Sequence, residues 1–181
     1  MALDFHKFQA DVKSAAKRTF LRFQQREGIE KIEGYALYTD SSVMTLCSAV
    51  NTDYHLKSMI DSDPDKEPDD DVYYRWSTAD WCFEAEDRRE LDAISLTLAR
   101  EARLVVDSEE FEAFRENVYE ACVGALESLV NEGFFQSPGK DPAIAFAVSD
   151  TDLGEKEVEW IERLNSPSAS KEFELWFESN A

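Results

Sequence analysis

Apolar positions recur along the chain with two different periods, and the period assigns the elements. Phe5, Phe8, Val12, Ala15, Ala16, Thr19, Phe20 and Phe23 fall three and four residues apart, the spacing of one helical face. Asp4 stands where an N-cap accepts from first-turn amides, and Gly28 offers a left-handed stop, so an amphipathic helix is predicted within residues 1–28. Gly34–Asp40 and Val43–Val50 are rich in β-formers and flank Asp40-Ser41-Ser42, which predicts a hairpin. Thr52-Asp53 can start a short helix through Tyr54, Leu56 and Met59. Val72–Trp76 reads as a further extended segment. Leu91, Ile94, Leu98, Ala102 and Val105 then mark one helix. Phe111, Phe114, Val118, Ala121, Cys122, Ala125 and Leu129 mark the next, opened by an Asp107/Glu110 capping box and stopped at Gly133. Ala143–Val148 is too continuously apolar for an edge and reads as an inner strand. Val158, Ile161 and Leu164, then Phe173, Trp176 and Phe177, mark two terminal helices separated at Asn165-Ser166-Pro167.

This order does not alternate strands strictly with helices, and a tight turn forces its two strands to run antiparallel. The expectation is one α+β domain over residues 1–181, a small antiparallel sheet covered by helices. With 43% hydrophobic and 12% aromatic residues, a chain of 181 residues can bury a core of its own.

Charge changes the picture more than composition does. Lys and Arg number 19 against 39 Asp and Glu, a formal net charge of -20. Such a surface repels phosphate lattices, so neither nucleic acid nor an anionic membrane is an expected partner, and a basic protein is. The exception is residues 1–31, where Lys7, Lys13, Lys17, Arg18, Arg22, Arg26 and Lys31 face Asp4, Asp11, Glu27 and Glu30. Either this first helix docks onto an acidic body, which its apolar face favours, or it is a basic arm for a partner. Cys47, Cys82 and Cys122 form no CxxC pair, which argues against a disulfide framework or a zinc site. Charges interrupt the opening MALDFHKFQADVK, and no run of about 18 apolar residues occurs. A reduced cytoplasmic protein is the expectation.

Sequence motifs for catalysis are sparse. Gly139-Lys140-Asp141 lacks the upstream glycine and the hydroxyl residue of a phosphate loop, and His6 and His55 have no zinc-protease spacing. Cys47 with His55 is a conceivable dyad, but a cysteine within an apolar strand is ordinarily a packing residue. No cofactor is implied. Residues 61–71 read DSDPDKEPDDD, with seven carboxylates (Asp61, Asp63, Asp65, Glu67, Asp69, Asp70, Asp71) against Lys66. Two prolines and self-repelling charge predict an exposed loop. Asp61, Asp63 and Asp65 alternate as a calcium loop begins, yet Lys66 stands where glycine is needed and Val72 where a bidentate glutamate is needed. The alternative is a negative lobe that attracts a basic protein. Asp150 and Asp152, just past a buried strand, could hold a divalent metal or act as acid and base, or serve as turn and capping residues. Tyr73, Tyr74, Arg75, Trp76 and Trp81 follow the acidic stretch. They suit a core strand, with interface anchoring as the functional alternative.

Tyr74-Arg75-Trp76, Asp80-Trp81 and Glu84, then Glu132-Gly133-Phe134-Phe135, Ser149-Asp150-Thr151-Asp152 and Leu164-Asn165, together resemble a family of small bacterial proteins catalogued as domain of unknown function 4303. The resemblance implies a bacterial cytoplasmic protein without an assigned reaction, and it carries over no functional residue. Small acidic α+β proteins of this kind often occur as immunity proteins beside polymorphic toxins. The leading expectation is therefore a non-enzymatic, acidic, protein-binding domain, an immunity-type inhibitor of a basic toxin or nuclease. Its alternative is a divalent-metal-dependent enzyme using Asp150 and Asp152. A halophile's acidic surface is a third reading, against which nine lysines remain.

Overall fold

A four-stranded sheet with unlike faces organises the chain. The computed structural model describes residues 3–26, 28–29, 31–65, 70–86, 88–136, 141–151 and 153–180. Among these, the helices are α1 (Phe5–Gln24), α2 (Asp53–Ser62), α3 (Asp70–Trp76), α4 (Arg89–Ala102), α5 (Ser108–Asn131), α6 (Glu155–Leu164) and α7 (Pro167–Asn180). The strands are β1 (Ile32–Thr39), β2 (Cys47–Thr52), β3 (Phe83–Glu84) and β4 (Ala143–Val148), and a 3-10 turn spans Thr78–Asp80. The fold is α+β, as the element order predicts.

The sheet order is β3-β2-β1-β4. β1 pairs antiparallel with β2 and parallel with β4, from Gly34↔Ala143 to Thr39↔Val148. The sheet is therefore mixed, not antiparallel throughout, because two helices intervene before β4 and return the chain to the same end of the sheet. β4 also lies at an edge rather than inside. Its continuous apolarity has another cause: both faces are covered, and Asn165 closes the open side by accepting from Ile144 N at 2.9 Å and donating to Ile144 O at 2.7 Å.

On one face, Tyr35, Leu37, Val50, Ile144, Phe146 and Val148 pack with the stripes of α1, α4 and α5 and with Trp160. On the other, Ala36, Ala49, Ala143 and Ala145 lie beneath Trp76, Trp81, Ile161 and Phe173. Gly34 continues this second face. A Cβ there would stand 2.7 Å from the Trp81 ring, so the strand must be bare where the indole lies down.

The caps follow the sequence closely. Asp4, Thr52 and Asp107 accept from first-turn amides of α1, α2 and α5, and Gly28 and Gly133 take positive φ. Cations of α1, and Arg26 just past it, meet acids of α4, the C-cap of α5 and the segment before α4: Arg18 and Arg22 pair with Glu90, Arg26 with Glu86, and Lys13 with Glu132. That is the docked arrangement.

Two local expectations fail for identifiable reasons. The second hairpin strand starts at Cys47, not Val43. Asp40 gathers residues 41–46 into a loop by accepting from the amides and hydroxyls of Ser42 and Thr45 and from Met44 N. Val72–Trp76 is helical rather than extended. Val72 and Trp76, four apart, share the inward face, and Asp70 and Asp71 open the helix where negative charge is favoured.

Candidate functional site

The acidic stretch is only partly a loop. Asp61 closes α2, Asp70 and Asp71 open α3, and Asp63 and Asp65 lie between. Glu67 and Asp69 fall outside the described residues. Asp63 organises the local turn: one carboxylate oxygen accepts from Asp65 N at 3.0 Å, the other from the Tyr74 hydroxyl at 2.8 Å. The Tyr74 phenol is pushed up to about 12, first by that hydrogen bond to Asp63, then by desolvation and neighbouring carboxylates. Lys57 pairs with Asp53 at 2.7 Å, so it does not neutralise Asp63 or Asp65.

Elsewhere several acids pair with cations across elements. Arg163 reaches Glu120 at 2.8 Å and Glu127 at 2.9 Å, and Lys156 pairs with Glu116. Each exposed pair contributes under about 1 kcal/mol. Around α2 and α3 five described carboxylates, Asp61, Asp63, Asp65, Asp70 and Asp71, lie close along the chain. This lobe also exposes aromatic surface: Tyr54 is 83% exposed and Tyr73 is 39% exposed. The short helix that the sequence predicts through Tyr54 forms as α2, and it buries no residue.

The aromatic segment divides into outward and inward groups. Trp76 and Trp81, each 4% exposed, are core residues. Tyr73 faces outward, its hydroxyl donating to Asp80 at 2.8 Å and its ring centred 6.2 Å from Trp176. Arg75 is 5% exposed and faces inward. Its Nε lies 3.3 Å from Glu172, which also accepts from Trp76 Nε1 at 3.2 Å, and its Nη2 donates to Asp141 O at 3.4 Å. Burial makes the guanidinium easier to deprotonate than usual, partly offset by Glu172 and Glu33. Glu172 is a partner the sequence gives no sign of, since nearly a hundred residues separate the two.

Two cavities flank this segment. One, of about 720 Å³, has Arg75, Phe135, Ile144, Asn165 and Glu172 in its wall. Arg75, Phe135, Leu164 and Asn165, distant in sequence and all part of the family likeness, meet there. The other, of about 300 Å³, lies at the carboxyl end of β4 and is lined by Tyr38, Trp76, Glu84, Glu157, Phe173 and Trp176, with Ala145 and Ala147 beneath. Only Trp76 of this set was a site candidate from sequence. The stripe Phe173, Trp176, Phe177 signalled a packed helix and gave no hint that Trp176 would border a cavity.

The remaining candidates are placed as follows. Both Asp150 oxygens accept from Ser41, from its amide at 2.7 Å and its hydroxyl at 2.8 Å, which ties the β1–β2 loop to the end of β4. Asp152 lies outside the described residues. Among the described residues no three His, Cys, Asp or Glu side chains gather as a metal site. His55 Nε2 lies 3.0 Å from the Asp80 carbonyl, while burial pushes the Cys47 thiol up, and no contact joins the two. Cys47, Cys82 and Cys122 are free thiols. No described helix is long and apolar enough to cross a membrane.

Fold and site thus define a small α+β protein with an acidic, aromatic lobe on one side of a mixed sheet. Residues 12–166 match the family described as Domain of unknown function (DUF4303), and the chain belongs to that family. No curated protein and no solved structure matches it.

Proposed function

We propose that this protein is a non-enzymatic binding domain that captures a basic protein, as an immunity-type inhibitor covers a cationic toxin or nuclease in the cytoplasm. The carrying observation is a run of carboxylates beside exposed aromatic surface. Asp61, Asp63, Asp65, Asp70 and Asp71 concentrate on and between α2 and α3, beside exposed Tyr54 and Tyr73. Negative charge gathered in one place projects a field that draws and orients a cationic surface. The tyrosines then supply rigid contact area with a polar end. The same field disfavours nucleic acid and anionic lipid.

Co-expression with the product of the adjacent gene tests this reading. A stable complex and relief of that protein's toxicity are expected, and the absence of both overturns it. Replacing Asp61, Asp65, Asp70 and Asp71 by Asn should slow association about tenfold at about 0.01 M salt, where the Debye length is about 30 Å. At about 1 M salt the two proteins should associate alike, because screening removes the advantage the variant lacks.

A further inference from the structure

We infer that the cavity of about 300 Å³ at the carboxyl end of β4 receives one arginine side chain of the protein that the acidic lobe attracts. This rests on the binding function above and names its anchor point. Tyr38, Trp76, Phe173 and Trp176 supply aromatic walls, Glu84 and Glu157 supply carboxylates, and no described lining residue is basic. An anion would meet repulsion there, and a neutral apolar group would gain no attraction from the carboxylates. A cation satisfies both sets of groups, through the negative ring faces and through charge-assisted hydrogen bonds.

Guanidinium fits better than ammonium. It is planar, weakly hydrated, stacks on indole and presents a fork to a carboxylate. The site is also held in place. The Tyr38 hydroxyl donates to Glu84 at 3.1 Å, orienting that carboxylate at the mouth. Trp76 and Phe173 meet edge to face at 5.3 Å, and Phe173 and Trp176 lie 5.6 Å apart, so the wall is a packed aromatic row.

The cavity is continuous with the lobe. Ser77, Thr78 and Ala79 line it, and the next residue, Asp80, accepts from Ser77 and from the lobe's Tyr73. A partner drawn by the lobe's field would find the cavity alongside it, the arrangement of a buried anchor within a steering rim.

The test is titration with N-acetyl-arginine amide, N-acetyl-lysine amide and the uncharged N-acetyl-citrulline amide, read at the Trp176 indole resonance by NMR. The arginine probe should shift that resonance saturably, the lysine probe more weakly, and the citrulline probe not at all over the same range. Glu84→Gln with Glu157→Gln should weaken the arginine probe about tenfold, with the unchanged remaining spectrum reporting an intact fold. Citrulline binding as well as arginine, or no Trp176 response to arginine, overturns the assignment. The lobe variant separates the two claims. If it binds the arginine probe normally but associates with the partner at the unaltered rate in low salt, the lobe reading fails and the cavity stands. If it slows the partner while the native protein ignores the probe, the cavity fails and the lobe stands.

Discussion

On one face of the sheet the strands carry the bulk, with Tyr35, Leu37, Val50, Ile144 and Phe146 meeting helices whose stripes are rich in Ala as well as Phe and Leu. On the other face the strands are nearly bare, with Gly34, Ala36, Ala49, Ala143 and Ala145 beneath Trp76, Trp81 and Phe173. The first face is closed over by long helices joined through ion pairs such as Arg18–Glu90 and Arg22–Glu90. The second is covered by α3, α6, α7 and the Trp81 turn, which leave a cavity at the end of β4. Flat indoles on a shallow alanine floor can hold a segment as short as α3, which is too short to be stable by itself. The same geometry leaves aromatic edges beside open space, and candidate function gathers there.

Exchanging bulk between the faces breaks this comparison most severely. Ala36→Leu with Leu37→Ala moves one large side chain across the sheet. Leu37 leaves a cavity costing about 3 kcal/mol and the new leucine overpacks the indole layer by about 2 kcal/mol, together near the whole stability of a domain this size. Urea unfolding should show either variant alone folded and the pair unfolded or nearly so.

A smaller effect sharpens the electrostatic half. Hydrogen bonds from Arg18 and Arg22 hold the Glu90 carboxyl below its usual range, and Lys13 does the same for Glu132. At Glu120 burial pushes the other way, but Arg163 and Trp160 outweigh it. Each folded value lies below the unfolded one. The stability these groups supply is therefore whole above the ordinary carboxylate range near about pH 4 and is lost as pH falls through the depressed folded values. Glu90→Gln should flatten the acid limb of stability against pH between about pH 4 and 2, measured by urea midpoints.

The smallest effect lies on the lobe side. Asp63→Asn should bring the Tyr74 phenol from about 12 toward its usual value near 10, since an amide neither repels the phenolate nor binds the hydroxyl as strongly. Difference absorbance of the two proteins on alkaline titration reads the shift, and identical curves would show that Asp63 does not hold this tyrosine.

The legible parts were those with local causes. Asp4, Thr52, Asp107 and Gly133 mark helix ends because capping is settled within a few residues, whereas α1 stops at Gln24, short of Gly28. The stripes of α1, α4 and α5 are read at the right spacing for the same reason. The strand β4 misleads because a run apolar at every position states that both faces are covered, not whether another strand or a single asparagine closes its side. The α3 segment misleads because five residues fit either period until Val72 and Trp76 are seen on one face. In the site, acids and aromatics were visible as residue types, but Glu84, Glu157 and Trp176 came together only through the fold.

The sequence by itself determined the α+β class, the helix ends and the large excess of negative charge, because each depends on neighbouring residues or on a sum over all of them. Tertiary structure decided which carboxylates are neutralised, which face of the sheet is bare, and that Arg75 turns inward while Tyr73 turns out. Those outcomes depend on contacts such as Arg75–Glu172 and Asp150–Ser41. Nothing in the residues between such partners records that they will meet.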